Sequence, residues 1–434
     1  MKILRADAPE FRNFFQALRL RGGAFTPDLL AGVAQIISDV ASKGDEALFA
    51  YTQKFDGCNL NAAGVEASDA ERKEAQARLN PADREVIEIS AKRIEKYHRR
   101  QIVTGYMMND EVGIELGQRV LPLQRAGIYA PGGKAFYPST LLMAAIPARI
   151  AGVKEIVLVS PSRDGKLHPM IAAAADIAGV DRIFKIGGAQ AIAALAYGTR
   201  TIPRVDKIVG PGNAYVAAAK KLVFGQVDID MIAGPSEVVV IADQSAEPAF
   251  VAADMLAQAE HDEMAAAILF TPFPDLASRV AEEVEKQAAT LPRKEIIEKS
   301  LSRYGAIIIT SGITQAVELA NQFAPEHLEL MVDNPVDLLG QVRNAGSVFL
   351  GSYTPEALGD YIAGANHILP TEGTARFSSP LGVYDFYKRM SVLSFSKQAF
   401  EKLADSTRHF AQMEGLDAHA NSVRIRSESV KQEN

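Results

Sequence analysis

Residues 155–197 read EIVLVSPSRDGKLHPMIAAAADIAGVDRIFKIGGAQAIAALAY, and this stretch decides the fold class. Two short apolar runs, Glu155–Val159 and Arg182–Ile186, alternate with two alanine-rich stretches of helical length, His168–Ala178 and Ala189–Tyr197. Strands that are apolar throughout are typical of a parallel sheet covered by helices on both faces. The stretch therefore predicts consecutive βα units in an α/β protein.

The same alternation extends in both directions and then occurs a second time. The first unit is predicted to add strands Ala126–Tyr129, Lys207–Val209 and Glu237–Ala242 and helices Ser139–Ala151 and Asn213–Val223. The second is predicted to contain strands Ala266–Phe270, Ala306–Ile309, Leu328–Met331 and Ser347–Leu350, with helices near Asp275–Ala289, Thr314–Gln322 and Val336–Asn344. We therefore expect two parallel-sheet domains, although no fixed-period sequence repeat relates them.

The two ends of the chain depart from this pattern. The first 105 residues are predicted to be helical, with helix starts marked by Thr26-Pro27, the capping box Ser68-x-x-Glu71 and Asn80-Pro81. Beyond Gly351 a Gly/Pro/Ser-rich loop is expected to run to about Gly382, followed by an amphipathic tail. The predicted division is a helical region at 1–120 that packs with the second α/β unit, α/β domains at 121–236 and 237–380, and a tail at 381–434.

Composition excludes several classes of function. The 434 residues include 46 Lys and Arg against 53 Asp and Glu, a net charge of −7, and no basic run suggests nucleic-acid binding. Arg149 and Lys154 interrupt the best candidate for a membrane helix, and the N-terminus lacks the apolar core of a signal peptide. The single cysteine, Cys58, lies in a predicted turn and excludes an intrachain disulfide or a thiolate metal cluster. We expect a cytoplasmic protein that binds a small molecule.

Glycine-rich loops lie at the ends of the predicted strands. They are Pro131-Gly132-Gly133, Gly187-Gly188-Ala189-Gln190, Gly210-Pro211-Gly212-Asn213 and Ala233-Gly234-Pro235-Ser236. Ligands of such sheets bind beyond the carboxyl ends of the strands, where free backbone N–H groups can meet an anion. One such loop could be only a tight turn, whereas three in succession favour a nucleotide-sized ligand. A dinucleotide would have to bind without the GxGxxG motif, which is absent.

The seven histidines fall into two groups. Three stand in polar helical contexts or at a helix start and are expected at the surface: His98, His168 and His409. Four stand in unusual settings, although each taken alone is better explained as a hydrogen-bonded core or loop residue: His261, His327, His367 and His419.

Without thiolates, a transition-metal site would have to use imidazole, carboxylate and amide oxygen ligands. His261, Asp360 and His419 could supply them, and Gln258 shares a helix face with His261. The neighbouring Glu326 and His327 could form an acid/base pair. Spacing alone does not bring these segments together.

Several strings taken together resemble the histidinol dehydrogenase family, from about Gly44 to Arg426. The most specific are Gly187–Ala196 (GGAQAIAALA), Gly210–Ala214 (GPGNA), Ala233–Glu237 (AGPSE), Gln258–His261 (QAEH), Ala324–Leu328 (APEHL), Asn366–Thr371 (NHILPT) and Ala418-His419. The resemblance implies an NAD- and zinc-dependent oxidation of L-histidinol to L-histidine through an aldehyde, the last step of histidine biosynthesis. It also implies four electrons and two NAD per product.

The resemblance further implies two Rossmann-like parallel-sheet domains, a helical N-terminal region and an extended C-terminal tail. The tail is expected to be exchanged in a homodimer with shared active sites and one Zn²⁺ per subunit. Matching positions imply the following roles: zinc ligands Gln258, His261, Asp360 and His419; catalytic residues Glu326 and His327; NAD contacts Tyr129, Gln190 and Asn213; and substrate contacts Ser236, His367 and Glu414, together with His327 and the zinc ligands.

The residue types suit this chemistry. A histidine can accept the hydroxyl proton at neutral pH as hydride leaves the alcohol, which is the role expected of His327. An aldehyde must first be hydrated, and Glu326 is expected to activate the water. Zinc is expected mainly to orient the substrate. The lone Cys58 argues against a covalent thiohemiacetal.

Three alternatives remain at this point. A paralogous zinc- and NAD-dependent dehydrogenase could act on another amino alcohol or a diol, although His367 and Glu414 fit histidinol. A zinc hydrolase could use Glu326 to activate water, although the nucleotide-type loops argue against it. The protein could instead bind NAD as a sensor without catalysis, but the presence of all the expected acid/base and metal-binding residues argues against this alternative.

Overall fold

The computed structural model describes residues 1–19, 21, 25–132, 136–162 and 164–433. They fall into two units: a large unit of Met1–Gln101 with Leu123–Phe386, and a small unit of Ile102–Pro122 with Tyr387–Asn434. The four-part division at residues 120, 236 and 380 stays a prediction. Among the described residues, no helix combines the length and apolar character needed to span a membrane.

The N-terminal segment is largely helical, as predicted. It contains strand β1 (Lys2–Arg5) and helices α1 (Pro9–Arg19), α2 (Pro27–Lys43), α3 (Asp45–Asp56), α4 (Asp69–Ala77) and α5 (Pro81–His98). The three predicted caps form, because Thr26 Oγ1 accepts from Leu29 N and Ser68 Oγ from Glu71 N, while the Asn80 side chain accepts from Ala82 N. A 3₁₀ turn (Arg99–Gln101) follows, and then strands β2 (Tyr106–Asn109) and β3 (Ile114–Pro122).

The first parallel sheet forms as predicted, except that strand Glu237–Ala242, which was expected in this unit, pairs in the second sheet. Its elements are β4 (Arg125–Tyr129), α6 (Pro138–Ala151), β5 (Glu155–Val159), α7 (Pro169–Ala178), β6 (Arg182–Phe184), α8 (Gly188–Tyr197), β7 (Lys207–Val209), α9 (Ala214–Val223) and β8 (Asp228–Ile229). The strand order is β6-β5-β4-β7-β8, all parallel. Strand β6 ends two residues before the predicted Ile186, because the Lys185 amide turns away to donate to Val65 O.

The second sheet is also parallel. Its elements are β9 (Glu237–Ala242), α10 (Pro248–Ala259), β10 (Ala266–Thr271), α11 (Pro274–Ala288), α12 (Lys294–Tyr304), β11 (Gly305–Ile309), α13 (Ile313–Phe323), β12 (His327–Met331), α14 (Pro335–Leu339) and β13 (Ser347–Leu350). The order is β1-β11-β10-β9-β12-β13. The start of the chain is therefore an edge strand of this sheet, which corrects the all-helical expectation for the first 105 residues.

The second sheet is buried on both faces. Along β9, Val238 and Val240 pack into one apolar cluster, and Val239 and Ile241 pack into another on the opposite side. Since successive side chains of a strand point to opposite faces, this alternation shows helices covering both sides of the sheet. It also explains why the strand reads as a continuous apolar run.

After β13 the large unit continues in short turns: α15 (Glu356–Leu358), a π-helical turn (Gly359–Ala363) and 3₁₀ turns at Thr374–Arg376 and Val383–Phe386. The small unit contains β14 (Tyr387–Phe395), α16 (Lys397–Met413) and α17 (Asp417–Glu433). Strands β14, β3 and β2 form an antiparallel sheet. Neither β3 nor β14 was expected, because their pairing joins segments that lie far apart in the sequence.

Candidate active site

The candidate catalytic residues Glu326 and His327 lie at the amino end of β12, beside the amino end of the neighbouring strand β9. Strands β9 and β12 are paired so that Val238 lies beside His327, which also brings Glu237 beside Glu326. The glycine loops of the first sheet, in contrast, follow its strands at their carboxyl ends. A small cavity of about 80 Å³ is lined by Gly210 from a glycine loop of the first sheet and by Glu326 from the second sheet. The carboxyl end of the first sheet therefore faces the amino end of the second.

Glu237 and Glu326 hold each other in place. The Glu237 amide donates to Glu326 Oε2 at 3.1 Å, and the Glu326 amide donates to Glu237 Oε2 at 3.3 Å. Both side chains are buried. Burial raises the pKa of Glu237 to about 7. Burial, and then the neighbouring Glu237 charge, raise the pKa of Glu326 well above its ordinary value.

The ring of His327 is fixed in one tautomer by its contacts. Nδ1 lies 3.1 Å from Glu237 O and 3.2 Å from Gln258 Oε1, both of which are acceptors. Nδ1 therefore carries the proton, and Nε2 carries the lone pair. Nε2 is buried without a hydrogen-bond partner and lies 3.8 Å from Asp360 Oδ1. Burial lowers the pKa of His327 to about 4, so the imidazole is neutral at pH 7 and its free nitrogen can accept a proton.

The spacing of polar residues along α10 and β12 explains why these groups meet. Asp254 and Gln258 are four apart on the helix, and His327 and Glu329 are two apart on the strand, so each pair lies on one face. Glu329 is buried against Asp254, and burial raises the pKa of both carboxyls, that of Asp254 to about 6. The Glu356 amide donates to Glu329 Oε1 at 3.1 Å. These contacts fix the turn that carries Glu356 and, four residues later, Asp360.

Three side chains of the large unit fit a metal ion. Donor atoms of His261, Glu356 and Asp360 lie within 4.8 Å of one another. His261 Nδ1 lies 2.9 Å from Ala257 O and must donate to it, which leaves Nε2 as a ligand atom. Glu356 Oε2 is buried and has no hydrogen-bond partner among the described residues, as expected for an oxygen that a cation would contact. Imidazole and carboxylate donors suit Zn²⁺.

His367 is held beside this cluster by residues remote in sequence. Its Nδ1 lies 2.9 Å from Asp360 O, and its Nε2 lies 3.3 Å from Thr140 Oγ1. The preceding Asn366 contacts His98 Nε2 at 3.4 Å. The expectation that His98 lies at the surface is wrong, because it is buried and anchors this loop to the end of α5. His168 is half-buried and stacks on Phe136, which also corrects its assignment to the surface, whereas His409 is exposed as expected.

Ser236 lies with His367 and Glu326 around the small cavity. The Ser236 side chain lies near the Glu326 carboxyl and lowers its pKa, against the larger effect of burial. The two predicted substrate contacts of the large unit therefore meet the predicted catalytic glutamate. Polar groups of all three residues line one space.

The predicted NAD contacts line one larger cavity of about 710 Å³. Tyr129 Oη accepts from Gly188 N at 3.1 Å, and Asn213 Oδ1 caps α9 by accepting from Tyr215 N and Val216 N. Gln190 is buried, with Nε2 3.3 Å from Asp56 Oδ2 and with Oε1 unpartnered. Gly133 of the first glycine loop lies outside the described residues. Asp262 also lines this cavity and directly follows His261, so the cavity adjoins the candidate metal site.

Glu414 and His419 belong to the small unit. Glu414 caps the end of α16, and His419 lies in the first turn of α17. Both are exposed, and they line one groove of about 510 Å³ between these two helices.

Sequence reasoning missed Glu237, which neighbours Glu326, and Glu356, which neighbours the metal candidates. Glu356 stands four residues before Asp360, a spacing that places two residues on one helical face. The spacing was not used because the segment shows no periodic apolar pattern and was predicted to be a loop.

Comparison with known proteins identifies the family. The family model described as histidinol dehydrogenase matches residues 21–427. The chain belongs to the histidinol dehydrogenase family. The histidinol dehydrogenase of Syntrophotalea carbinolica is 52% identical over 426 residues, which cover 98% of this chain and 99% of that protein. That of Aquifex aeolicus is 51% identical over 423 residues, 98% of both chains.

A solved structure confirms the fold class. The crystal structure of histidinol dehydrogenase from Elizabethkingia anophelis matches with a TM-score of 0.92 and 37% identity, and the match covers 99% of this chain and 98% of that one. The resemblance stated from the sequence is thus confirmed, and so is its consequence that the chain is an oxidoreductase acting on an alcohol and an aldehyde.

Proposed function

We propose that this chain oxidises L-histidinol to L-histidine through L-histidinal, as the final step of L-histidine biosynthesis. Each L-histidine formed would consume two NAD, and each subunit would bind one Zn²⁺. One observation carries the proposal. The buried, unpartnered Nε2 of a neutral His327 stands beside a group of metal-type donors, and that group adjoins a nucleotide-sized cavity.

The metal would be held by Gln258, His261 and Asp360 of the large unit, and by His419. Glu356 lies close enough to His261 and Asp360 to be a further oxygen ligand. When bound, zinc would orient the substrate through its polar groups and polarise its oxygen.

In the alcohol step, His327 is the general base. Its Nε2 accepts the proton of the substrate hydroxyl, and NAD, when bound, would take hydride from the carbon that bears this hydroxyl. The Nδ1–H bonds to Glu237 O and Gln258 Oε1 hold the ring in the tautomer that this transfer needs, and they stabilise the imidazolium that results.

In the aldehyde step, Glu326 activates the water that hydrates the aldehyde. Its carboxyl must be ionised to do so, and burial beside Glu237 and Asp360 opposes ionisation. Positive charge brought into the site, such as the substrate amine, lowers the pKa of Glu326 again. Once His327 has released the proton of the alcohol step to solvent, its Nε2 accepts a proton from the hydrate during the second oxidation.

Substrate and cofactor would occupy the two cavities. Ser236 and His367 would contact the substrate in the small cavity. NAD would lie in the large one against Tyr129, Gln190 and Asn213, where the backbone N–H groups at the start of α8 and α9 can meet its phosphates.

We further propose that the site is completed in a homodimer. Glu414 and His419 would be supplied by the C-terminal segment of the partner, Glu414 to the substrate and His419 to the metal. Their exposure on one groove of the small unit leaves both side chains accessible to another chain.

The ratio of NADH formed to L-histidinol consumed tests the function. A ratio near two is expected, measured by absorbance at 340 nm and by quantifying residual histidinol. Absence of NADH with L-histidinol would refute the proposed substrate and reaction. A panel of amino alcohols and diols, run under the same conditions, tests the substrate assignment.

A further inference from the structure

A buried arginine of the N-terminal segment lies directly behind the candidate catalytic glutamate. The Arg21 side chain is 1% exposed, although it carries a permanent charge. One terminal nitrogen, Nη2, donates to Glu237 Oε1 at 2.9 Å and to Pro235 O at 3.1 Å. Its other two nitrogens have no hydrogen-bond partner among the described residues, and the guanidinium carbon lies 5.5 Å from the centre of the Tyr304 ring. Burying two charges costs desolvation free energy even when they are paired, so a stabilising role alone does not explain this buried ion pair.

The contacts form a continuous chain from Arg21 to Glu326. Arg21 holds one oxygen of Glu237, and the other oxygen of Glu237 accepts from the Glu326 amide. The Glu326 carboxylate in turn accepts from the Glu237 amide. Through Pro235, Arg21 also holds the backbone next to Ser236, whose side chain lowers the pKa of the Glu326 carboxyl.

We propose that Arg21 is a positioning residue for the aldehyde step, acting on Glu326 through Glu237. The proposal rests on the proposed role of Glu326 in hydrating the aldehyde. Among the described residues, the Arg21 side chain donates hydrogen bonds to Glu237 and Pro235, and Glu237 is its direct link to Glu326.

The charge of Arg21 acts in a defined direction. It favours the ionised form of Glu237, which is opposed by burial and by the nearby Glu372. An ionised Glu237 then raises the pKa of Glu326, which also faces Asp360 and His327. Removing the Arg21 charge leaves Glu237 protonated near neutral pH. Glu326 then loses a repelling neighbour and ionises at lower pH, but it also loses its fixed orientation.

Arg21→Met removes the charge while keeping the length of the side chain. We expect NADH formation from L-histidinal to slow by about 10- to 100-fold, as is typical when a catalytic group is misplaced. We also expect the acid limb of its pH profile to move down by roughly one pH unit, the size expected for a nearby charge. Hydride transfer from L-histidinol in a single turnover should change by less than about threefold.

Three variants sharpen the test. Arg21→Lys should restore the wild-type position of the acid limb, because the charge is kept. Glu237→Gln should move the limb in the same direction as Arg21→Met, and it serves if Arg21→Met fails to fold by circular dichroism. Arg182→Met removes a half-exposed Arg–Glu pair at the amino end of a strand of the other sheet, and it should leave the limb in place.

The outcomes separate this inference from the proposed function. If Glu326→Gln leaves the aldehyde step unimpaired, the role of Glu326 itself is wrong. If Glu326→Gln is selective but Arg21→Met slows both steps equally with an unmoved acid limb, Arg21 is only structural and the inference is overturned. A double variant, Arg21→Met with Glu326→Gln, should be no slower than Glu326→Gln alone, and additive losses would contradict the proposed route.

Discussion

Replacement of Glu326 by glutamine is the sharpest test of how the two oxidation steps are divided. The change is isosteric, and the amide oxygen can still accept from Glu237 N, which lies 3.1 Å from Glu326 Oε2. The structural cost is therefore small. What is lost is the carboxylate base, and removing a general base typically costs about 10²–10⁴ in rate. This loss should fall on aldehyde oxidation, because His327 Nε2 is unchanged.

The assay compares the two half-reactions directly. With L-histidinal and NAD, the Glu326→Gln variant should form NADH about 10²–10⁴ times more slowly than wild type. With L-histidinol, a single turnover should still release about one NADH at a rate within a few-fold of wild type, and histidinal should accumulate. The wild-type aldehyde step should accelerate as pH rises, because Glu326 has a raised pKa and must ionise, whereas the variant should lose this dependence.

The control is a variant that affects both steps. His327→Asn removes the base of each hydride transfer and should slow both half-reactions. Equal losses in the two half-reactions for Glu326→Gln would refute the assignment of Glu326 to the hydrating water. So would a wild-type pH profile in that variant.

Three further predictions follow from the same site. EDTA or 1,10-phenanthroline should abolish activity, and added zinc should restore it. By elemental analysis, His261→Ala should retain no zinc, and Glu356→Gln should retain less zinc than wild type. Full activity of a zinc-free preparation would contradict this prediction. Gly210→Ala should weaken NAD binding measured by titration and lower the melting temperature, because the residue has φ 115° and a Cβ would lie 2.2 Å from a backbone carbonyl oxygen. His419→Ala and Glu326→Gln homodimers should each form almost no L-histidine. Co-refolding the two in equal amounts should give about half heterodimers, each with one intact site, and so restore about a quarter of the wild-type rate of L-histidine formation. Recovery no greater than the sum of the two variants, with heterodimer confirmed by mass, would show that His419 acts within its own chain.

Local signals predicted most of the fold. The caps at Thr26, Ser68 and Asn80 and the apolar strands of both sheets depend on residues close in sequence, and they form where expected. The strands β1 and β14 could not be predicted in this way. Their partners, β11 and β3, lie about 300 and 270 residues away along the chain, and no local pattern encodes such pairing.

The site shows the same division. Motif resemblance supplied Glu326, His327 and the metal candidates of the large unit, which the structure brings together. It did not supply the residues that hold them. His98 looked like the end of a solvated helix, yet it is buried and bound to Asn366. Arg21 gave no signal, because its partner lies more than 200 residues away.

The position of the only cysteine explains why the aldehyde step needs a buried carboxylate. Cys58 is buried with its sulfur 3.8 Å from Ser162 Oγ, in the apolar cluster that packs on the first sheet. It does not line the cavity that contains Glu326. A thiohemiacetal is therefore excluded, and under the proposed reaction the second hydride must leave a hydrate. Forming that hydrate requires a base that accepts a proton from water, and His327 is assigned to the two hydride steps. Glu326 fits this role because burial raises the pKa of its carboxyl and positive charge entering with the substrate lowers that pKa again, which favours the ionised base.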